Sequence, residues 1–136
     1  MKLNFAAILV ALVAAQAPDT FKVLLAPVPI DLTMQATVTG KGSAMATIVS
    51  NKLSISGSFE GLQSAATVAH LHQGKVRGVR GPSIADLTVS KALSGTIQGA
   101  VNLTPAQLEG LRNGLLYIQI HSEKAPEGNL WGWLLP

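Results

Sequence analysis

No cysteine occurs anywhere in the 136 residues. Disulfides, thiolate metal sites and cysteine nucleophiles are therefore excluded, and stability has to come from packing. Charge is scarce as well, at 12% of residues, with 10 Lys and Arg against 7 Asp and Glu. A chain so weakly charged, with no long basic run, is not built to neutralise a phosphate backbone, which sets nucleic-acid binding aside. Aromatics make up only 4%, and histidine occurs three times. Those few rings stand out as candidates for specific chemistry.

Long apolar runs are confined to the start of the chain. Lys2 gives a short positive beginning, residues 5–15 are unbroken apolar, and Ala15-Gln16-Ala17 places small residues where a signal peptidase reads. This pattern predicts a secretory signal peptide over residues 1–17, cleaved after Ala17; the block is too short for a membrane anchor. Residues 18–136 then form one exported domain, extracellular or, in a bacterium, periplasmic, with no transmembrane segment after cleavage. That length can bury a real core.

Residues 18–30, with Pro18, Pro27 and Pro29, read as an extended leader holding one edge strand around Phe21 to Leu25. Residues 31–39 alternate, Leu32, Met34, Ala36 and Val38 sharing a face, and predict a strand broken by Gly40-Lys41-Gly42. Residues 44–49 and 53–59 read as a hairpin across Ser50-Asn51-Lys52. Further strands are expected over residues 65–72, 84–89, 93–101, 115–121 and 129–135. A Gly-rich loop at 74–82 and a polar connection at 122–128 lie between them. The helix signal is local and strong: Thr104 as cap, Pro105 at the first position, Gln107 completing a capping box, Asn113-Gly114 as the stop. Together these predict an all-β fold, an antiparallel β-sandwich of Greek-key, immunoglobulin-like or superoxide-dismutase-like type, with one short helix near residues 105–112.

The histidines close apolar runs. His70 and His72 end one strand and point the same way, because successive strand side chains alternate faces; His121 ends another. Leu116, Ile118 and Ile120 make the better core face, which turns Tyr117, Gln119 and His121 outward. Burying His70 and His72 would demand polar partners, so Ala69 and Leu71 are expected inward instead. All three imidazoles then lie outside the core. Three histidines with an open position suit zinc, and imidazole-rich sites also suit copper. Tyr117, Gln119, Glu123 and Asp86 are candidates to fix ring orientation. The alternative is structural: each imidazole pins a strand edge or loop by bonding a backbone carbonyl or Tyr117. Ser122 beside His121 falls on the opposite face, so no hydrolytic triad emerges.

Lys75, Arg77 and Arg80 in the Gly-punctuated loop are candidate anion-binding groups, set against the simpler reading of a solvated loop. Trp131 and Trp133 share one face of the last strand. They form either an aromatic platform for a sugar ring or partner protein, or part of the core, and the core is the expected place. Asn102-Leu103-Thr104 is a glycosylation sequon, usable at Asn102 in a eukaryotic secretory route.

Ala69-His70-Leu71-His72 resembles the Ala-His-Ile-His motif of the CHRD domain, the module described in chordin and found in secreted proteins. Residues 114–122, ending Tyr117-Ile118-Gln119-Ile120-His121-Ser122, with Pro126-Glu127-Gly128-Asn129-Leu130-Trp131-Gly132, are similar to its closing pattern. Leu103-Thr104 and Val28-Pro29 also fit, so the resemblance covers roughly residues 21–135. The chain departs from the pattern at Asn129, Trp131 and Gln73, where the family shows Glu, Arg and Gly. The resemblance implies an extracellular β-sandwich-like domain. The expected function is a secreted, non-enzymatic binding module for an extracellular protein or polysaccharide, with His70, His72 and His121 as a divalent-metal or copper site. A small secreted metalloenzyme, redox or hydrolytic, using the same histidines is the alternative.

Overall fold

Alternation of apolar with small polar residues sets most of the strands. The computed structural model describes residues 7, 8, 10 and 19–136; apart from those three early positions, the signal peptide and its cleavage after Ala17 lie outside the described residues. The strands are β1 (Asp19–Pro27), β2 (Lys41–Val49), β3 (Lys52–Glu60), β4 (Ala66–Gln73), β5 (Ser83–Val89), β6 (Gly95–Asn102), β7 (Leu116–Ser122) and β8 (Ala125–Trp133), with helix α1 (Pro105–Arg112) between β6 and β7. No helix among the described residues is long and apolar enough to cross a membrane.

The all-β class with one short helix holds, but the strands close into a barrel in the order β1-β2-β3-β6-β5-β4-β7-β8, all antiparallel, where an open sandwich was expected. The closure lies in two corner strands. β1 pairs with β2 through residues 19–25 and then with β8 through Ala26 and Pro27. β5 pairs with β4 up to Leu87 and with β6 through Thr88 and Val89. Each corner strand belongs to one sheet along one part and to the other sheet beyond it, so neither sheet keeps a free edge. β1, expected at an edge, is therefore flanked on both sides.

Inside the barrel, Leu53, Leu71, Ile97, Leu116, Ile118, Ile120 and Leu130 are all completely or almost completely buried. Each such side chain stabilises the fold by about 1.5–3 kcal/mol relative to exposure. Ala69 and Leu71 point inward with them, as the alternation of β4 implies. α1 carries the expected cap: Gln107 N–H donates to Thr104 Oγ1 at 3.2 Å and Thr104 N–H to Gln107 Oε1 at 3.0 Å. Leu103 and Leu111 anchor the helix to the barrel core.

The strand expected over residues 31–39 is instead a run of turns. Asp31 Oδ1 accepts from Thr33 N–H at 2.8 Å, Thr33 Oγ1 at 2.6 Å and Met34 N–H at 3.2 Å. A local carboxylate that satisfies three donors outcompetes a sheet ladder, despite the alternating pattern. Leu32 is left exposed. Val38 packs with Val28 and Ala125 in a small second cluster, with Met34 and Trp131 against it. That cluster reaches β8, where Val28 and the Gln119 amide both lie against Gly128.

Candidate functional site

Register brings the histidines together. His70 of β4 lies opposite Gln119 of β7, and His72 opposite Tyr117. On the other flank His70 lies opposite Asp86 of β5. His121 follows Gln119 on the same face of β7, which makes it the diagonal neighbour of His70. One ring nitrogen from each histidine lies within 4.8 Å of the others, and His70 Nδ1 is 3.3 Å from His121 Nε2. A tetrahedron of zinc–nitrogen bonds has edges of roughly 3.3 Å, which the His70–His121 pair already has, the widest of the three separations being no more than 4.8 Å.

The far nitrogen of each ring is already engaged. His72 Nδ1–H donates to the Gly81 carbonyl and His121 Nδ1–H to the Pro126 carbonyl, both at 2.8 Å. His70 Nε2 faces Asp86 Oδ1 at 3.4 Å. Carbonyls accept only, so Gly81 and Pro126 fix the protons of His72 and His121 on Nδ1. For neutral rings, the lone pairs left over there are His72 Nε2 and His121 Nε2, and His70 Nδ1 stands against the second. At 3.3 Å, His70 Nδ1 donates to His121 Nε2 when it carries its ring's proton, and presents a second lone pair there when the proton sits on Nε2 toward Asp86. His72 Nε2 is buried with no hydrogen-bond partner.

Electrostatics keep the lone pairs available. Burial pushes the His72 imidazole below its ordinary value; the Gly81 hydrogen bond opposes this, and the nearby His70, His121 and Arg80 charges add to it. His121 is lowered by burial first, opposed by its bond to Pro126, with His70 and Arg80 again contributing. Both rings are therefore neutral at neutral pH, the form that ligates metal.

A polar and aromatic shell surrounds the three rings. Tyr117 stacks on His72, centroids 4.8 Å apart and planes 13° from parallel. Its hydroxyl donates to the Gly81 carbonyl at 3.1 Å and accepts from Gly81 N–H at 2.9 Å. The loop at 74–82 is thus fastened at Gly81 by a ligand candidate and its neighbour. Gln119 Nε2 donates to the Glu127 carbonyl at 2.9 Å and approaches His121 Nε2 at 3.5 Å. Gly128, at φ 133°, leaves room for that amide, which a Cβ would strike. Gln119 Oε1 and Asn129 Oδ1 are buried without partners.

Other sequence candidates are distributed. Glu123 sits exposed in the turn between β7 and β8 and makes no side-chain hydrogen bond to the cluster. Of the three basic loop residues, Arg80 is at the site, its guanidinium donating to the same Glu127 carbonyl that Gln119 uses. Arg77 lies over Gly114, and Lys75 is exposed. Asn102 is exposed at the end of β6. Ser122 is buried on the opposite face from His121, where its Oγ accepts from Asn129 Nδ2 at 2.9 Å.

Trp131 and Trp133 depart from the expected core placement. They stand on the outer face of β8, partly buried, Trp133 4.5 Å and Trp131 5.6 Å from Tyr117 between centroids. The inward positions are taken by Leu130 and Leu134. The outer face therefore runs from imidazole through tyrosine to tryptophan. Sequence reasoning missed the carbonyls of Gly81, Pro126 and Glu127, because a backbone acceptor carries no residue signature.

The family model described as CHRD domain matches residues 27–134. The chain belongs to the CHRD domain family. Its CHRD match takes in all three histidines and every strand from β2 to β8. No curated protein and no solved structure matches the chain.

Proposed function

We propose that this CHRD domain is an exported binding module whose three-histidine cluster holds a divalent ion, zinc or copper. The observation that carries the reading is the division of labour within the rings. In His72 and His121 the Nδ1–H is committed to a backbone carbonyl, and one nitrogen from each of the three rings lies within 4.8 Å of the others. That is how metal-binding histidines are oriented, since the outer bond sets tautomer and ring angle. A purely structural histidine has no reason to leave a buried nitrogen such as His72 Nε2 without a partner.

The binding-module reading is preferred to a metalloenzyme. Asp86 is 93% exposed at its side chain and engaged with His70, and Ser122 is buried on the opposite face. Neither is a placed base or nucleophile. Export rests on the residue 1–17 pattern and agrees with the secreted setting that the CHRD resemblance implies.

Elemental analysis and calorimetric titration of the purified domain with zinc and with copper test the proposal. Stoichiometric uptake that is lost in His121→Ala, while the variant keeps its β-rich circular dichroism, is the expected result. Full uptake by that variant, or none by the wild type, would remove the site.

A further inference from the structure

The cluster's ligands are all uncharged, which determines what else the loaded site must hold. Three neutral imidazoles leave a divalent ion with its full charge. The acidic side chain that faces the cluster, Asp86, is engaged with His70 and almost wholly in solvent. It offsets no more than one positive charge, and Arg80 restores that charge on the opposite rim. The Arg80 guanidinium is held on the Glu127 carbonyl, which also accepts from Gln119 Nε2, itself 3.5 Å from His121 Nε2. One of its five N–H donors is spent on that carbonyl and the others remain. The His70 side chain is 24% exposed, so the cluster opens to solvent.

From this juxtaposition we propose that the loaded site binds an oxyanion, one oxygen on the metal's open position and another on the Arg80 guanidinium. This rests on the metal-site reading above and adds the class of ligand. Carboxylate and phosphate both present paired oxygens that match the planar arginine fork. A metal-bound hydroxide or water offers the guanidinium one acceptor oxygen, whereas an oxyanion offers a second, distinct oxygen to the fork. Lys75 and Arg77 take no part, since the first is exposed and the second lies against Gly114.

The test uses the full domain, first loaded with zinc and titrated with acetate and with inorganic phosphate, then repeated with cobalt so that the visible spectrum reports the metal's coordination. Arg80→Gln should weaken anion binding about tenfold, the effect of one charge-assisted contact, with metal affinity unchanged or slightly raised. Arg80→Lys should recover part of the loss. Retained metal binding by Arg80→Gln doubles as the check that the variant is folded. Metal uptake with no spectral response to anions overturns this proposal alone, and so does an Arg80→Gln titration identical to wild type. Absence of metal uptake overturns it together with the site. An acidic oligosaccharide such as oligogalacturonate, compared with acetate, identifies the source of the oxygens. Tighter binding that is lost in Trp133→Leu assigns them to a glycan lying across the aromatic face, and equal binding assigns them to a free small anion.

Discussion

Replacing His72 with phenylalanine separates metal binding from packing, because the two readings differ in sign. The substituted ring can keep its stack on Tyr117 while losing both nitrogens. Loss of the Nδ1–H bond costs about 1 kcal/mol, but the Gly81 carbonyl retains the Tyr117 hydroxyl at 3.1 Å. Against this, the variant no longer buries an Nε2 that lacks a partner, an arrangement that costs about 1–3 kcal/mol. Without metal the variant should therefore match wild type or exceed it by up to about 2 kcal/mol. At a zinc concentration 100 times the dissociation constant, wild type should be more stable by about 2.7 kcal/mol and the variant unchanged. Urea unfolding followed by tryptophan emission, with chelator and then with zinc, measures both differences. A variant weakened by more than about 2 kcal/mol in chelator, beside a wild type indifferent to zinc, would refute the reasoning and make His72 a structural strut.

Three other outcomes are expected. In the metal-free protein, stability is fully present above the ordinary imidazole value of about 6.5. It is lost as pH falls from there through the lowered folded values of His72 and His121, because the unfolded chain takes up protons first. Urea midpoints that stay flat from about pH 7.5 to about pH 5 would contradict this. Copper should quench tryptophan emission stoichiometrically, since Tyr117 bridges His72 to Trp133 at centroid distances of 4.8 and 4.5 Å; an unchanged spectrum at saturation would contradict it. Gly57→Ala should destabilise by roughly 1–3 kcal/mol in chemical denaturation, because a Cβ there meets the Ser43 carbonyl and sits 2.7 Å from Ala44 Cβ. A neutral result would mean that β2 and β3 separate more easily than their continuous ladder implies.

What the sequence made legible was the facing of side chains. Leu116, Ile118 and Ile120 are inward and His121 outward, as alternation implies, but the other face is not solvent: Tyr117 and Gln119 on it are buried as well. The helix was equally readable, since Thr104, Pro105 and Gln107 act within one turn. Barrel closure was not readable. It depends on two pairs between β1 and β8 and two between β5 and β6, and a sandwich would show the same alternation. The turns after Asp31 were misread because a single carboxylate overrode the pattern of Leu32, Met34, Ala36 and Val38. At the site, the residues could be named in advance but their convergence could not, since the offset between β4 and β7 is set by a bulge between Ala66 and Ala69. The outward tryptophans could not be chosen from sequence either: Leu130/Leu134 and Trp131/Trp133 are both acceptable apolar sets, and the inward face went to the pair that fits the barrel interior.

The narrow join between β1 and β8 has a kinetic corollary. Ala26 and Pro27 meet Leu130 and Trp131 across more than a hundred intervening residues, the slowest kind of contact for a chain to find. The ring is then expected to shut late, after the hairpins have zipped. Because Trp131 is itself one of the joining residues, its emission gives a built-in clock for that final step, and stopped-flow refolding should show the optical signal lagging the far-ultraviolet one.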